Sequence, residues 1–151
     1  MNLFNQVKKH WRQLREGTYQ FIDGLKESDL DLKLPFARSQ TIRYQLHCMC
    51  GAQESNISMI VDNTWNGYSS SLDKLGKTDL ITIKKHLLTA DKKMLTVMKK
   101  SNFNLENYMI LVEHEAHHHG QLINFIYAHN LPIPQSWQSK WALANVGPEK
   151  S

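Results

Sequence analysis

Apolar side chains recur at alternating intervals of three and four residues in four separate stretches of the chain. The first stretch runs from Phe4 to Leu25, and the third runs from Leu80 to Val97. Because an α-helix turns once every 3.6 residues, this spacing gathers the apolar side chains on one face. No stretch sustains the alternation of apolar and polar residues that is typical of a half-buried strand. The sequence therefore predicts an all-α fold.

Capping residues and turn-rich segments place the four predicted helices at about residues 2–25, 39–62, 79–100 and 105–129. Thr78 is a plausible N-cap of the third helix with Asp79 in its first turn, and Asn104 opens the fourth helix. The segments 26–38 and 63–77 are longer than usual helix connections and contain several turn residues. We therefore predict a four-helix bundle in which tight loops are not assured.

Length and composition favour a single globular domain over residues 1–151. The chain is 41% hydrophobic and 21% charged, an ordinary balance that excludes extended disorder. The predicted tail, 131–151, contains Trp137 and Trp141, which are four residues apart. This spacing allows one amphipathic helical turn, packed against the bundle or against a partner.

Cysteine content and charge indicate the cellular compartment of the chain and the partners to expect. Cys48 and Cys50 are two residues apart, so they form no disulfide framework, and no segment has the character of a signal peptide or membrane span. We therefore expect a cytoplasmic protein without a membrane partner. The net charge of +4 comes from lysines that are scattered over several helices, so nucleic acid is not an expected partner.

The fourth helix contains the most informative cluster, four of the chain's eight histidines. At about 100° per residue, His118 lies roughly 40° from His114, and Gln121 lies about 20° from it on the other side. These three side chains therefore share the apolar, inward face of the helix, whereas His119 points away from it. Two imidazoles that are four residues apart on one helix face can share a metal ion.

A polar stripe on the second helix supplies the other candidates. His47 is the candidate third ligand, and Glu54, seven residues later, is a candidate general base or hydrogen-bond acceptor for a ligand. Gly51 on the same line allows another element or a ligand to approach closely. Arg43 and Tyr44 bracket the line one turn earlier and are candidates for positioning an anionic substrate.

Structural interpretations remain open for most of these residues. A lone His47 is typical of an ordinary, partly buried histidine, and Cys50 is typical of a small core residue although it could face the site. Arg43 and Tyr44 fit packing or surface positions equally well. Gln121 could orient a ligand or a bound water. The combination of an inward histidine pair with His47 is what favours a metal site.

The segment His-x-x-His-His-x-Gly-Gln at 114–121, with a histidine on the second helix roughly 65–70 residues earlier, resembles the DinB/YfiT-like family of metal-binding proteins. The resemblance implies a four-helix bundle with up-down-down-up connectivity, and homodimers. It also implies that His47, His114 and His118 bind one divalent metal. Most members carry arginine at the position of His119, so the match departs from the family pattern there.

The resemblance, together with three neutral ligands that leave coordination positions open, favours a metal-dependent enzyme. The expected activity is that of a thiol transferase or hydrolase, in which the ion activates a thiol or water. The expected partners are small molecules, a low-molecular-weight thiol and an electrophile. Imidazole ligands favour Zn or Ni, with Fe, Mn and Cu as alternatives. The competing hypothesis is a non-catalytic, stress-related module that binds a metal or another ligand.

Overall fold

A computed structural model describes residues 1–143, and every regular element within them is helical. The α-helices are α1 (Leu3–Asp23), α2 (Ile42–Asp62), α3 (Leu80–Lys99), α4 (Leu105–His129) and α5 (Gln135–Lys140), and two short 3₁₀ helices span Glu27–Asp31 and Asp73–Leu75. The predicted all-α class is confirmed. The last eight positions of the predicted tail, 144–151, lie outside the described residues. None of the described helices is both long enough and apolar enough to cross a membrane.

The helix bounds follow local capping chemistry. The α4 helix has the predicted bounds, and the Asn104 side chain accepts a hydrogen bond from the Asn107 amide. The other three long helices begin and end within three residues of their predicted bounds. The prediction that Thr78 caps α3 is wrong, because Asp79 accepts the hydrogen bond from the Thr82 amide instead. The Thr78 hydroxyl has another partner, described below.

Buried side chains form two apolar clusters, one toward each end of the long helices. One cluster joins the C-terminal parts of α1 and α4 to the N-terminal parts of α2 and α3, with Phe21 and Leu46 among its members. The other joins the N-terminal parts of α1 and α4 to the C-terminal parts of α2 and α3, with Trp11 and Ile60 among its members. The four long helices are therefore held together over most of their length by apolar burial.

The α5 helix packs onto α1 and α4 through Trp137, which is 1% exposed. Its indole stacks on Phe21 at 5.8 Å between ring centroids and lies 4.6 Å from the His119 ring. Gly17 makes this approach possible, since a Cβ there would lie 2.0 Å from the indole nitrogen. Trp141 stays 39% exposed. Of the two tryptophans, Trp137 is therefore the one that anchors the C-terminal segment to the long helices.

The long connection between α2 and α3 folds back along α2 and covers its polar stripe. Gly51 lies under this loop, and a Cβ there would lie 2.2 Å from the Tyr68 hydroxyl oxygen. The Ser55 hydroxyl donates to the Ser69 carbonyl at 3.0 Å and accepts from the Ser69 amide at 2.9 Å. The expectation that Gly51 admits another element is confirmed, and that element is the loop.

Candidate metal centre

Three side chains from two helices converge between α2 and α4. One ligand atom each from Cys48, His114 and His118 lies within 4.8 Å of the other two. The Cys48 Sγ is 3.7 Å from His114 Nε2, and the two imidazole centroids are 4.5 Å apart. Thiolate sulfur and imidazole nitrogen are the ligands that Zn²⁺ prefers in proteins. This cluster can therefore hold a metal ion.

The orientation of His118 is set by a hydrogen bond from α2. Its Nδ1 donates to the Gln45 carboxamide oxygen at 2.5 Å, and both groups are buried. A ring that donates through Nδ1 keeps its Nε2 lone pair free for a metal. Burial, together with the neighbouring His114, lowers the pKa of His118 to about 4. The imidazole is therefore neutral at physiological pH, the form that binds metals.

His114 and Cys48 are each more exposed than His118. Burial is the main cause that lowers the pKa of His114, so this ring is also held neutral. Burial, followed by the negative charge of Asp73, raises the pKa of the Cys48 thiol. Cys48 therefore keeps its proton at neutral pH in the metal-free protein. A bound cation reverses that preference, because a coordinating thiol gives up its proton.

A cavity of about 630 Å³ opens beside the three side chains. Aromatic rings line it at Phe36, Tyr44 and Phe125, and Arg38 is the one Lys or Arg among its described lining residues. The same lining includes no Asp or Glu side chain. A volume of this size is typical of pockets that bind small molecules. The cavity therefore favours a neutral or anionic ligand.

Unpartnered polar atoms support a bound group at this position. Among the described residues, neither His114 Nδ1 nor the Gln121 carboxamide oxygen has a hydrogen-bond partner, and both atoms are buried. Buried polar atoms in native proteins nearly always have a partner, so such atoms indicate a missing water, ion or ligand. Together with a donor set of one sulfur and two imidazoles, they show that these residues fit a divalent transition metal.

His47 does not join this cluster. Its Nδ1 lies 2.9 Å from Asp73 Oδ1, and its Nε2 lies 2.6 Å from the Thr78 hydroxyl, so both ring nitrogens have partners in the α2–α3 connection. Among the described residues, the group that could share a metal with His114 consists of Cys48 and His118, and His47 is not in it. The sequence-based assignment of His47 is therefore corrected: within the described part of the chain, the third member of the cluster that could hold a metal is Cys48. Consecutive helical residues differ by about 100° in direction, so only one of the two can face α4.

Glu54 and Cys50 also belong to the loop-covered face. The Glu54 carboxylate accepts from the Ser71 amide at 3.0 Å and from the Cys50 thiol at 3.4 Å. Burial and the adjacent Glu54 raise the pKa of Cys50, which keeps its thiol neutral. Neither residue lines the cavity. The structural interpretation of Cys50 fits, and the structure gives Glu54 no route to act as a base on a ligand held there.

The other predicted site residues divide in the same way. Arg43 donates from Nε to the Thr78 carbonyl at 2.9 Å and forms an ion pair with Asp31, so it clamps two connections together. Tyr44, a predicted candidate for positioning an anionic substrate, and Gln121, a predicted candidate for orienting a ligand or bound water, both line the cavity. Tyr44 is 51% exposed, which places it at the rim. The side chains of these two residues are therefore available to a ligand, whereas that of Arg43 is engaged.

The prediction that His119 points away from the core is wrong. His119 is fully buried, and its Nε2 lies 2.7 Å from the Thr18 hydroxyl and 3.7 Å from Glu115. Burial alone would raise the pKa of Glu115, but the Arg15 guanidinium, 2.9 Å away, and hydrogen bonds from His119 and Thr18 lower it to about 2. The α4 helix is buried on two sides, because α1 and α5 cover the face opposite the cavity.

Sequence reasoning missed Cys48 and Gln45, the two α2 residues that contact the histidine pair. They lie three positions apart on α2, as neighbours on one helix face must, and a thiol beside a carboxamide on an inward face was the available signal. No family model, curated protein or solved structure matches this chain.

Proposed function

We propose that this chain binds one divalent metal ion through Cys48, His114 and His118, and uses it as a metal-dependent thiol transferase or hydrolase. The observation that carries the proposal is the convergence of one sulfur and two imidazole nitrogens within 4.8 Å beside a cavity of about 630 Å³. Structural zinc sites take four protein ligands, whereas catalytic sites take three and leave one position for water or substrate. Three ligands beside a cavity fit the catalytic arrangement.

The donor set narrows the proposed metal. A thiolate is softer than imidazole and favours Zn²⁺ over Ni²⁺, Fe²⁺ or Mn²⁺ in a site of this composition. When bound, the ion would supply Lewis acidity, which lowers the pKa of a thiol or water molecule beside it. One thiolate ligand reduces the net charge of such a centre from +2 to +1, so the acidity is lower than with three imidazoles.

The chain's own side chains would bind and orient the substrate. Arg38 would hold an anionic group, because the lining offers no carboxylate to oppose it. Phe36 and Phe125 would pack against an apolar part. His117 lines the same cavity and is exposed, so in this proposal its ring replaces the Glu54 carboxylate as the group that accepts a proton. Gln45 acts through His118 by holding its tautomer.

The DinB/YfiT-like family is our proposed relationship for the chain. The two apolar clusters support it, because α1 and α4 begin at the end of the molecule where α2 and α3 finish. That arrangement corresponds to a four-helix bundle with up-down-down-up connectivity. The resemblance assigns the α2 ligand to His47, so the use of Cys48 in the proposed site departs from the family pattern. A reducing cytoplasm suits a thiolate ligand, and a homodimer belongs to the same proposal.

Activity of the metal-loaded protein tests the enzyme proposal. Purified protein without a histidine tag is loaded with Zn²⁺ and assayed for consumption of a small thiol with an electrophile and for hydrolysis of activated esters. We expect turnover by the wild type that is lost in His114→Ala and kept in His86→Ala, a control because His86 bonds to Ser71 outside the site. Equal rates in His114→Ala and wild type would contradict a catalytic role.

A non-catalytic module that binds a metal or another ligand is the second candidate. The absence of Asp and Glu from the described cavity lining favours it, because hydrolytic metal sites commonly pair the ion with a carboxylate base. This candidate predicts metal uptake and a metal-dependent melting temperature with no turnover of any thiol, electrophile or ester offered. Metal-dependent turnover that follows His114 would exclude it.

A further inference from the structure

The charge of the chain is divided unevenly between two pairs of helices. The α1 helix carries four Lys and Arg residues with two acids, and α3 carries five lysines with one acid. The α2 and α4 helices, which build the candidate metal centre, together carry one arginine and five acids. The prediction that the lysines are scattered over several helices is therefore incomplete, since nine of the ten Lys and Arg residues of the four long helices lie on α1 and α3.

A groove of about 530 Å³ lies between α1 and α3, and its described lining shares no residue with the cavity of the metal centre. Phe4, Leu88 and Leu95 contribute apolar side chains to its walls, and Leu88 is 48% exposed. Trp11 is fully buried beneath them, where its indole donates to Asp91 at 2.7 Å. An apolar groove of this size is larger than water alone requires.

Four cations line this groove: Lys8 and Arg12 from α1, and Lys92 and Lys99 from α3. Among the described residues, none of the four has a carboxylate within ion-pair distance. Glu16 is the one exposed acid of the lining. Unpaired cations on both walls of an apolar groove raise the local concentration of anions.

The base of the groove contains a buried guanidinium. Arg15 is 1% exposed, and its Nε lies 2.9 Å from Glu115 Oε2. Its Nη1 has no hydrogen-bond partner among the described residues and lies 3.7 Å from Asp91. Glu115 and Asp91 together carry one more charge than Arg15, so the base of the groove contributes a net charge of −1. With Glu16, the four cations of the walls still leave the groove with a net charge of +2.

We propose that this groove binds a single-chain amphipathic carboxylate, with its alkyl chain along the apolar walls and its head group among the four cations. The apolar residues on the α3 side of the lining are Leu88 and Leu95, about 10 Å apart along the helix axis, and Phe4 faces them from α1. An elongated apolar strip suits an extended alkyl chain better than a compact ring. Charge complementarity selects the anionic head, because the groove offers a carboxylate two cations from each side.

A nucleic acid and an anionic membrane surface fit the groove less well than a small anionic ligand does. Single-stranded nucleic acids stack their bases on exposed aromatic rings, whereas here Trp11 is buried and Tyr19 is bonded to Asp91. A flat bilayer would leave the floor of a concave groove uncovered. A small ligand that enters the groove covers both its walls and its floor.

Calorimetric titration with decanoate, below its micelle-forming concentration, tests the proposal on the full chain. We expect saturable binding of one decanoate per chain, weaker binding of octanoate and hexanoate, and none of decyltrimethylammonium. Each methylene that the groove covers should change the affinity by about fourfold, the factor for about 0.8 kcal/mol at 25 °C. The double variant Arg12→Glu/Lys92→Glu should weaken decanoate binding by about tenfold or more.

The matched control is Lys33→Glu/Lys74→Glu, which changes the net charge equally at two exposed positions outside the groove. We expect it to bind decanoate as the wild type does, and Leu88→Gln to bind several-fold more weakly. Equal losses in both charge variants, or equal binding of decyltrimethylammonium, would overturn the proposal. Binding of phosphatidylglycerol vesicles or duplex DNA without decanoate binding would also overturn it, in favour of a macromolecular polyanion.

Discussion

His47 and Cys48 are neighbours on α2, yet they face two regions of opposite character. His47 lies under the α2–α3 connection, where each of its ring nitrogens has a partner. Cys48 faces α4 beside His114, whose buried Nδ1 has no partner among the described residues. The comparison teaches that polar residue type alone does not mark a site. A polar side chain whose hydrogen bonds are all made within the chain stabilises the fold. A cluster beside a cavity that has unpartnered polar atoms is available to bind a ligand.

The strongest test of this difference replaces His47 and Cys48 by alanine, one at a time, and measures the Zn²⁺ affinity of each variant. Cys48→Ala should lower the Zn²⁺ affinity by about a hundredfold or more, because one of three ligands is lost. His47→Ala should change it by less than about threefold. Competition with a chromophoric chelator measures both variants. Similar losses in the two variants would show that His47 contributes to the metal centre after all.

Stability should respond in the opposite order. His47→Ala removes two hydrogen bonds and leaves the buried Thr78 hydroxyl unpaired, so it should lower the free energy of unfolding by about 2 kcal/mol. Cys48→Ala should lower it by less than about 1 kcal/mol in metal-free protein, because Cys48 is small and partly exposed. Urea denaturation without metal measures both. A smaller loss in His47→Ala than in Cys48→Ala would contradict the structural role of His47.

The hydrogen bond from His118 to Gln45 allows a test within the metal centre of how much an α2 residue that is not a ligand contributes to metal affinity. Gln45→Met keeps the volume of the side chain but removes the acceptor for His118 Nδ1, so it should weaken Zn²⁺ binding by about tenfold. His114→Ala provides the reference for loss of a ligand. A Gln45→Met variant that binds zinc as tightly as the wild type would show that the tautomer of His118 is fixed without Gln45.

The smallest expected effect is a pH dependence of stability in metal-free protein. The folded pKa of His118 is about 4, against an ordinary value of 6.5, so between these pH values the unfolded chain binds more protons. The free energy of unfolding should therefore fall by about 1 kcal/mol, after solvent screening, as pH drops from 6.5 to 4. His118→Gln should reduce this slope in urea titrations. An unchanged slope would place the titrating group elsewhere.

Local sequence signals predicted some elements well. Asn104 and the apolar run after it gave the bounds of α4, because capping and periodicity act between residues within one turn. The shared inward face of His114 and His118 followed from helix geometry for the same reason. The sequence does not distinguish Thr78 from Asp79 as the N-cap of α3, because both residue types cap helices well. In the structure Asp79 is the cap, and the Thr78 hydroxyl is bonded to His47.

Which residue joins the histidine pair was a tertiary question. A rotation of α2 about its axis exchanges His47 and Cys48 as the side chain that faces α4, and the helical pattern of α2 permits either. The long α2–α3 connection decided the matter by pairing with the polar stripe around His47. Sequence reasoning likewise did not predict that Trp137 of α5 packs on the His119 ring, because the two residues are not neighbours along the chain.

The sequence by itself determined that this chain is helical, where α4 begins and ends, and that two imidazoles share one face of it. These properties depend on interactions between residues a few positions apart. Only the tertiary structure decided the third member of the cluster, the burial of His119 and the gathering of cations beside the groove between α1 and α3. Such properties depend on the rotation and adjacency of whole helices, which buried contacts between distant residues fix.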